Sequence, residues 1–319
     1  MLPYLLRRVA IALPTLAIIS VIIFAIIALA PGDPFTSGAD NGRIPPEVFV
    51  KLRRDLGLDE PVHIQYLKWM SSVLRGQFGY SFSGGVEVGR LISERLPTTL
   101  FIMGAAYVLG LLLAMIIGIA SAVRQNSTID NLASAFAYVG FSLPPFFTAL
   151  LLIVIFTANL RILPMSYVTT VPGEGMEWVW GNLKQAVMPI AVIGLYEGAV
   201  LTRYVRASMI DVLTCDFVRT ARSKGLDEVR VVTRHALRNA LIPIVTIAAI
   251  QAPGLFTGSI VVEQIFTIPG IGTLLLRSYE SKDVPVMMAI LSIYSVLVVG
   301  FNLVADVLYH ALDPRIRHA

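Results

Sequence analysis

Five stretches of this chain run for over twenty residues without an Asp, Glu, Lys or Arg: Val9 to Ala30, Pro97 to Val123, Asn131 to Leu160, Asn239 to Val262 and Val284 to Ala305. A sixth, Ala186 to Thr202, is interrupted only by Glu197. A bilayer core about 30 Å thick takes about 20 residues of helix at about 1.5 Å each. Backbone groups in hydrocarbon must be satisfied within their own segment, so each run predicts a helix. The chain therefore reads as an all-α membrane protein with six spans. Pro144 and Pro145 predict a kink in the third run, which is longer than a span requires, and Pro253 predicts one in the fifth. Composition agrees: 56% of the 319 residues are apolar and 14% charged, against about 25% charged in a soluble domain.

The first run imitates a secretory signal, with Arg7 and Arg8 ahead of it and Ala28-Leu29-Ala30 at its end. At 22 residues it exceeds a signal core of roughly 7 to 15, and Pro31 suits a peptidase poorly, so it is read as a retained span. A mature chain beginning at Pro31 would overturn this.

Six spans put both termini on one side. Arg7, Arg8, Arg124, the eight basic residues from Arg203 to Arg238, Arg315 and Arg317 make thirteen on that side. The short loops opposite hold four: Arg161, Lys184, Arg277 and Lys282. The positive-inside rule then predicts cytoplasmic termini. The long external loop 31–96 carries eight basic and eight acidic residues and casts no vote. It is too long for a bare connector. Short amphipathic helices are predicted over Glu47 to Leu58 and Val62 to Leu74, the second with an apolar face of Ile64, Tyr66, Leu67, Trp69, Met70 and Val73 that suits its own helical bundle or the headgroup region.

The net charge of +4 does not indicate nucleic acid, because the basic residues lie between apolar runs rather than on one face or tail. No G-x-x-x-x-G-K-S/T phosphate loop exists: the five lysines follow Val50, Leu67, Leu183, Ser223 and Ser281. The four histidines form no H-E-x-x-H pair, the lone Cys215 cannot build a thiolate site, and no G-x-S-x-G elbow surrounds Ser259. No catalytic or metal residue is predicted. Cys215 is read as a small buried apolar residue. Glu197, an ionisable group within a span, is a candidate pathway residue or an interhelical contact. Gln251, Asn302 and Thr246 are milder polar cases of helix-to-helix bonding or the pathway. Asp306 and His310, four residues apart, are expected to pair with each other or with the Arg203 loop.

The loop Arg203 to Arg238 is the informative one, with eight basic and four acidic residues. Asp216 is expected to N-cap a helix from Phe217 to Lys224, which Gly225 ends in the left-handed conformation. Phe217, Thr220, Ala221 and Lys224 share one stripe. That surface suits a groove on a soluble partner, and equally an anionic lipid surface.

Arg219-Thr220-Ala221-Arg222-Ser223-Lys224-Gly225 resembles the E-A-A-x-x-x-G loop of permease subunits of binding-protein-dependent ABC importers. The run Asp216 to Pro243 resembles the dipeptide, oligopeptide, nickel and glutathione branch of that family. Similar matches are Ala30 to Pro34, Leu56 to Asp59 with Gln65-Tyr66, and Gly76 to Ser81. Arg95 to Leu100, Val261-Val262-Glu263 with Phe266 and Pro269 to Gly272, and Leu312 to Arg317 complete the set. Arg219 and Thr220 depart from the general Glu and Ala, and His235 to Arg238 stands where I-x-L-P would fall, both as is usual in the peptide branch.

The resemblance implies a type I ABC importer permease fold: an N-terminal helix and periplasmic loop over 1–96, then a permease domain over 97–319 with a coupling loop at 203–238. It implies ATPase coupling through Asp216, Phe217, Arg219, Thr220, Ala221, Lys224 and Gly225. This chain would hold no cofactor, with ATP and magnesium on partner subunits. The implied partners are a second similar permease, one or two cytoplasmic ATPase subunits, an external or periplasmic solute-binding protein and the bilayer of a bacterial inner membrane. The cargo is a peptide or a related solute, with glutathione, opines, oligosaccharides and chelated nickel left open. An ion-coupled secondary transporter would instead show several intramembrane charges and inverted repeats, where one charge and no repeat are found. A scaffold or insertase without cargo is the third class.

Overall fold

The computed structural model describes residues 2–28, 60–168, 175–254 and 259–312. Among them every regular element is helical, and the only β pairing is a bridge between Tyr80 and Glu87. In chain order the helices are α1 (Leu2–Ala28), α2 (Val62–Leu74), α3 (Val88–Val123), α4 (Thr128–Ser142), α5 (Pro145–Leu152), α6 (Met176–Leu213) and α7 (Asp216–Ser223). Then come α8 (Leu237–Gln251), α9 (Ile260–Ile265), α10 (Ile271–Glu280) and α11 (Val284–Leu312). Two wider π-helical turns extend this set, Ile153–Asn159 after α5 and Val231–Ala236 ahead of α8.

Among the described residues four helices are long and apolar enough to cross a membrane, or five if α4 and α5 form one span. Those two meet at 99°, because Pro144 and Pro145 withdraw two donors and Pro145 takes the first position of a new helix. The expected kink is thus a sharp break. The fifth apolar run does not continue as one helix: α8 ends at Gln251, just before Pro253, and α9 begins only at Ile260. In contrast, α3 begins at Val88 and carries Pro97 in its interior instead of starting there. The expected helix over Glu47 to Leu58, the Ala30 to Pro34 and Leu56 to Asp59 matches and the last motif residues 313–317 lie outside the described residues.

The chain divides into two compact units. One comprises Met1–Pro97 and Gly270–Gly300, the other Thr98–Pro269 and Phe301–Ala319. In the first unit, α2 lies on α1. The Ser20 and Tyr66 hydroxyls are 2.8 Å apart, and the Phe24 ring stands edge-on to Tyr66 and beside Trp69. The predicted α2 face is half-buried at Ile64, Tyr66, Trp69, Met70 and Val73, but Leu67 points outward. A turn follows in which Ser81 N–H donates to the Val86 carbonyl and Val88 N–H to that of Gly79, with Gly76, Gly79 and Gly85 at positive φ. The buried Asp283 carboxylate, at the corner between α10 and α11, accepts from the Ser81 hydroxyl and from the N–H groups of Phe82 (3.1 Å) and Ser83 (3.2 Å).

The second unit is built around α6. Gly194 and Gly198 on α6 face Gly110 on α3 so closely that a Cβ at Gly110 would lie 3.0 Å from the Gly198 nitrogen and 3.1 Å from the Gly194 oxygen. Gly118 likewise abuts Val205, and Gly140 of α4 abuts Ala199. Small residues let backbones approach where burial itself offers no drive between helices in lipid. Beside this seam Leu201, Val205 and Met209 of α6 pack with Val232, Ala236, Ala240 and Ile244. A second cluster joins Ile102, Met103, Ala149, Met188 and Val192 to Val262, Phe266 and Ile268.

Candidate functional site

The loop between α6 and α8 holds the structured segment foreseen in the sequence. Its helix, α7, is capped differently: Cys215 occupies the N-cap without a side-chain hydrogen bond, and Asp216 is the first helical residue. There the Asp216 carboxylate still favours the positive helix end, and it pairs loosely with Arg219 at 3.7 Å. Cys215 is half-buried rather than core, with its thiol donating to the Asp211 carbonyl at 3.4 Å. The helix stops as expected. Lys224 is the C-cap and Gly225 takes φ +74°, with its N–H donating to the Arg222 carbonyl.

Behind Gly225 the chain turns back and is clasped. Asp227 caps the next turn by accepting from Val229 N–H, and Arg222 grips Glu228 through two nitrogens at 3.1 and 2.6 Å. The fork holds the Glu228 carboxyl below its ordinary pKa, hydrogen bonding being the main cause, and pushes the Arg222 guanidinium up. The inner face of α7 differs from the predicted stripe. Val218 and Ala221 are buried against Val231, with Val212, Leu213 and Leu226 packed around them. Phe217, Thr220 and Lys224 are exposed, Phe217 at 43%. Ala221 therefore belongs to the anchoring face, and the outward surface is an aromatic ring flanked by a hydroxyl and a cation. Arg219 is outward as well.

The structure adds a charged network that the sequence reading missed. Arg206, about two turns before the Leu213 end of α6, donates to both oxygens of the buried Asp130 carboxylate at 2.7 and 2.9 Å. Ser121 of α3 and the Asn126 N–H complete the shell. The signal was present: Ser127-x-x-Asp130 is a capping pattern, and the Ser127 hydroxyl does accept from Asp130 N–H. Glu263, which the sequence marked only as part of a motif, is fully buried in α9 and accepts from the Thr99 hydroxyl at 3.1 Å.

The candidate pathway residues do not converge on one point. Glu197 is half-buried on α6, its Cβ 3.0 Å from where a Cβ on Gly110 would stand, and it makes no hydrogen bond or ion pair among the described residues. The Tyr107 hydroxyl donates to the Ala248 carbonyl of α8 at 2.6 Å. Gln251 ends α8 with its side-chain oxygen buried and without a partner among the described residues. Asn302 is exposed on α11. Thr246 bonds the Ile242 carbonyl of its own helix, not a neighbour. The side chain of His310 lies outside the described residues, so its expected pairing with Asp306 does too. No three His, Cys, Asp or Glu side chains come together to hold a metal among the described residues.

A family model described as the inner membrane component of binding-protein-dependent transport systems matches residues 110–318, and one for the N-terminal part of such membrane components matches 1–103. The oligopeptide transport system permease protein AppB of Bacillus subtilis is 40% identical over 100% of both chains. The glutathione transport system permease protein GsiC of Salmonella typhimurium is 38% identical, again over 100% of both. The dipeptide transport system permease protein DppB of Lactococcus lactis is 36% identical over 99% of this chain and 100% of its own. A crystal structure of an amino acid ABC transporter with histidines shares the fold at a TM-score of 0.50 and 14% identity, covering 76% of this chain and 98% of that one.

Proposed function

This chain belongs to the family of inner-membrane components of binding-protein-dependent transport systems, and on that premise we propose that it forms half of a peptide pore worked by ATPase subunits docking on α7. It is a membrane permease component and not the enzyme of its system, because ATP hydrolysis in such importers sits in separate subunits. The observation that carries the docking reading is the outward face of α7. Phe217 stands exposed on a helix whose other side is anchored by Val218 and Ala221, and Gly225 and the Arg222–Glu228 fork fix where it ends. Asp216, Arg219, Thr220 and Lys224 are exposed on the same short segment and would meet the walls of a groove on the ATPase, which carries the ATP and magnesium.

The proposed topology is a type I importer permease with six spans and cytoplasmic termini. The N-terminal helix and periplasmic loop occupy 1–96, and the permease domain with its coupling loop occupies 97–319. It is supported by the thirteen-to-four basic asymmetry and by five apolar runs beside the Glu197-interrupted sixth. A second similar permease supplies the other half of the pore, one or two ATPases power it, and an external binding protein delivers cargo. The relatives' names, oligopeptide, dipeptide and glutathione permeases, support short peptides as that cargo.

The test is transport by the complete complex in proteoliposomes. Phe217→Ala removes an exposed ring without disturbing the core and is expected to cut uptake at least tenfold while the complex still assembles. Gly225→Asp, at a positive φ that strains other residues, is expected to abolish uptake and uncouple ATP hydrolysis from it. Uptake unchanged in both would sink the docking assignment.

A further inference from the structure

The last turns of α3 carry an apolar stripe that no helix of this chain covers. Ile116, Ile119, Ala120 and Val123 stand at i, i+3, i+4 and i+7, on one side of the helix. With Ile129 of α4 they line an open groove of about 490 Å³, within the range of about 300–1,000 Å³ of ligand-holding clefts. Ile119 is half-buried against the cluster that α6 and α8 share, which fixes the floor, whereas Ile116, Ala120 and Val123 are exposed. The one charged residue in the lining is Arg124, immediately past the last apolar position.

Arg124 is exposed, and its side chain makes no hydrogen bond or ion pair among the described residues. The Asp130 carboxylate does not serve it, being already engaged by Arg206, the Ser121 hydroxyl and the Asn126 N–H. The turn that carries Arg124 is held: its carbonyl accepts from the Ser127 N–H at 3.2 Å and from the Ser127 hydroxyl at 2.5 Å, and Asn126 sits at φ +59° with its N–H 2.9 Å from Asp130. A cation fixed in this way loses little freedom on meeting an anion.

We propose that the groove seats an acyl chain of an anionic phospholipid whose phosphate is held by Arg124. The eight residues from Ile116 to Arg124 rise about 12 Å along α3, close to the roughly 15 Å that one leaflet gives to hydrocarbon. A chain lying along the stripe therefore brings its headgroup to the level of the guanidinium, whose N–H fork matches phosphate. A free phosphate would use the cation and leave the apolar wall bare. An apolar helix of a second permease would cover the wall and bring no anion.

The experiment uses the complete complex, with both permeases, ATPases and binding protein, in phosphatidylcholine nanodiscs. The probes are phosphatidylglycerol and phosphatidylcholine, each with a diazirine in one acyl chain, and the labelled residues are mapped by mass spectrometry. Residues 115–129 are expected to take the phosphatidylglycerol label about fivefold more than the phosphatidylcholine label, the worth of one arginine at a membrane surface. Arg124→Gln is expected to abolish that preference and Arg124→Lys to keep most of it. Ala120→Phe, which fills the groove from an exposed position, is expected to lower labelling by both probes, with the thermal midpoint of the complex unmoved in all three variants. Equal labelling by the two lipids in the wild type, or a preference unchanged in Arg124→Gln, overturns the inference. So does a wild type in which neither lipid labels 115–129 while a photoreactive side chain at position 120 crosslinks to the second permease, which gives the groove to a protein partner. Each of these failures leaves the docking of ATPases on α7 untouched, since that is read from uptake.

Discussion

At the scale of single residues, the second unit is decided by where side chains are missing. Gly110 and Gly104 lie on the same helix, yet a Cβ on Gly110 would press on α6 backbone while one on Gly104 would meet nothing within 4 Å. Gly110→Ala is therefore expected to destabilise by about 1–3 kcal/mol through overpacking, and Gly104→Ala to be near neutral, as read by thermal unfolding in detergent. The Arg206–Asp130 pair gives a second contrast. Arg206→Ala strands a buried carboxylate, at a cost of roughly 3–5 kcal/mol. Adding Asp130→Asn should recover part of that loss, since the two residues form one network. Equal loss in single and double variants would mean that Arg206 acts alone. The sequence shows these glycines and charges but not their partners, which are brought together only by helix packing.

The elements show which local rules survive packing. The stop at Gly225 was legible because only a residue without Cβ takes a left-handed turn freely. The start was not: Asp216 has the right chemistry for a cap, but the chain enters one residue earlier, at Cys215. Likewise the apolar pattern marks the core of α3 at Pro97 to Val123 and says nothing of the polar turns from Val88 onward. The π-helical turn at Val231–Ala236 has no sequence signature, yet its effect is clear. Val232, Ala236, Ala240 and Ile244, each four apart, would drift around a regular helix, and a turn of more than four residues draws them back to one buried side.

The Arg222–Glu228 fork is the element with a pH response. The folded Glu228 pKa lies below its ordinary value, so the stabilisation is full above the ordinary glutamate range and is lost as pH falls through the lowered value. Both partners are about half exposed, which limits it to at most about 1 kcal/mol. Amide exchange over residues 222–228 should be unchanged between pH 8 and 6 after correction for the intrinsic rate, and should rise below pH about 4. A Glu228→Gln variant should show the faster exchange already at pH 7.

Over the whole molecule, long-range ties decide what holds. In the first unit Asp283 reaches residues two hundred positions away and satisfies two backbone donors at Phe82 and Ser83. Asp283→Ala removes both bonds, at roughly 0.5–1.5 kcal/mol each, and faster amide exchange at residues 80–86 would register it. An effect no larger than that of Ser81→Ala would show that the hydroxyl bond alone matters. The apolar runs and the absent phosphate loop made the class of molecule readable from sequence, whereas ties like this one are fixed by which corners meet. The packing beneath α7 has the widest reach. Val218 and Ala221 rest at once on Val212 and Leu213, where α6 ends, and on Val231, where the run into α8 begins. The little helix is thus a foot set under two legs, and a load applied to its sole is borne by both.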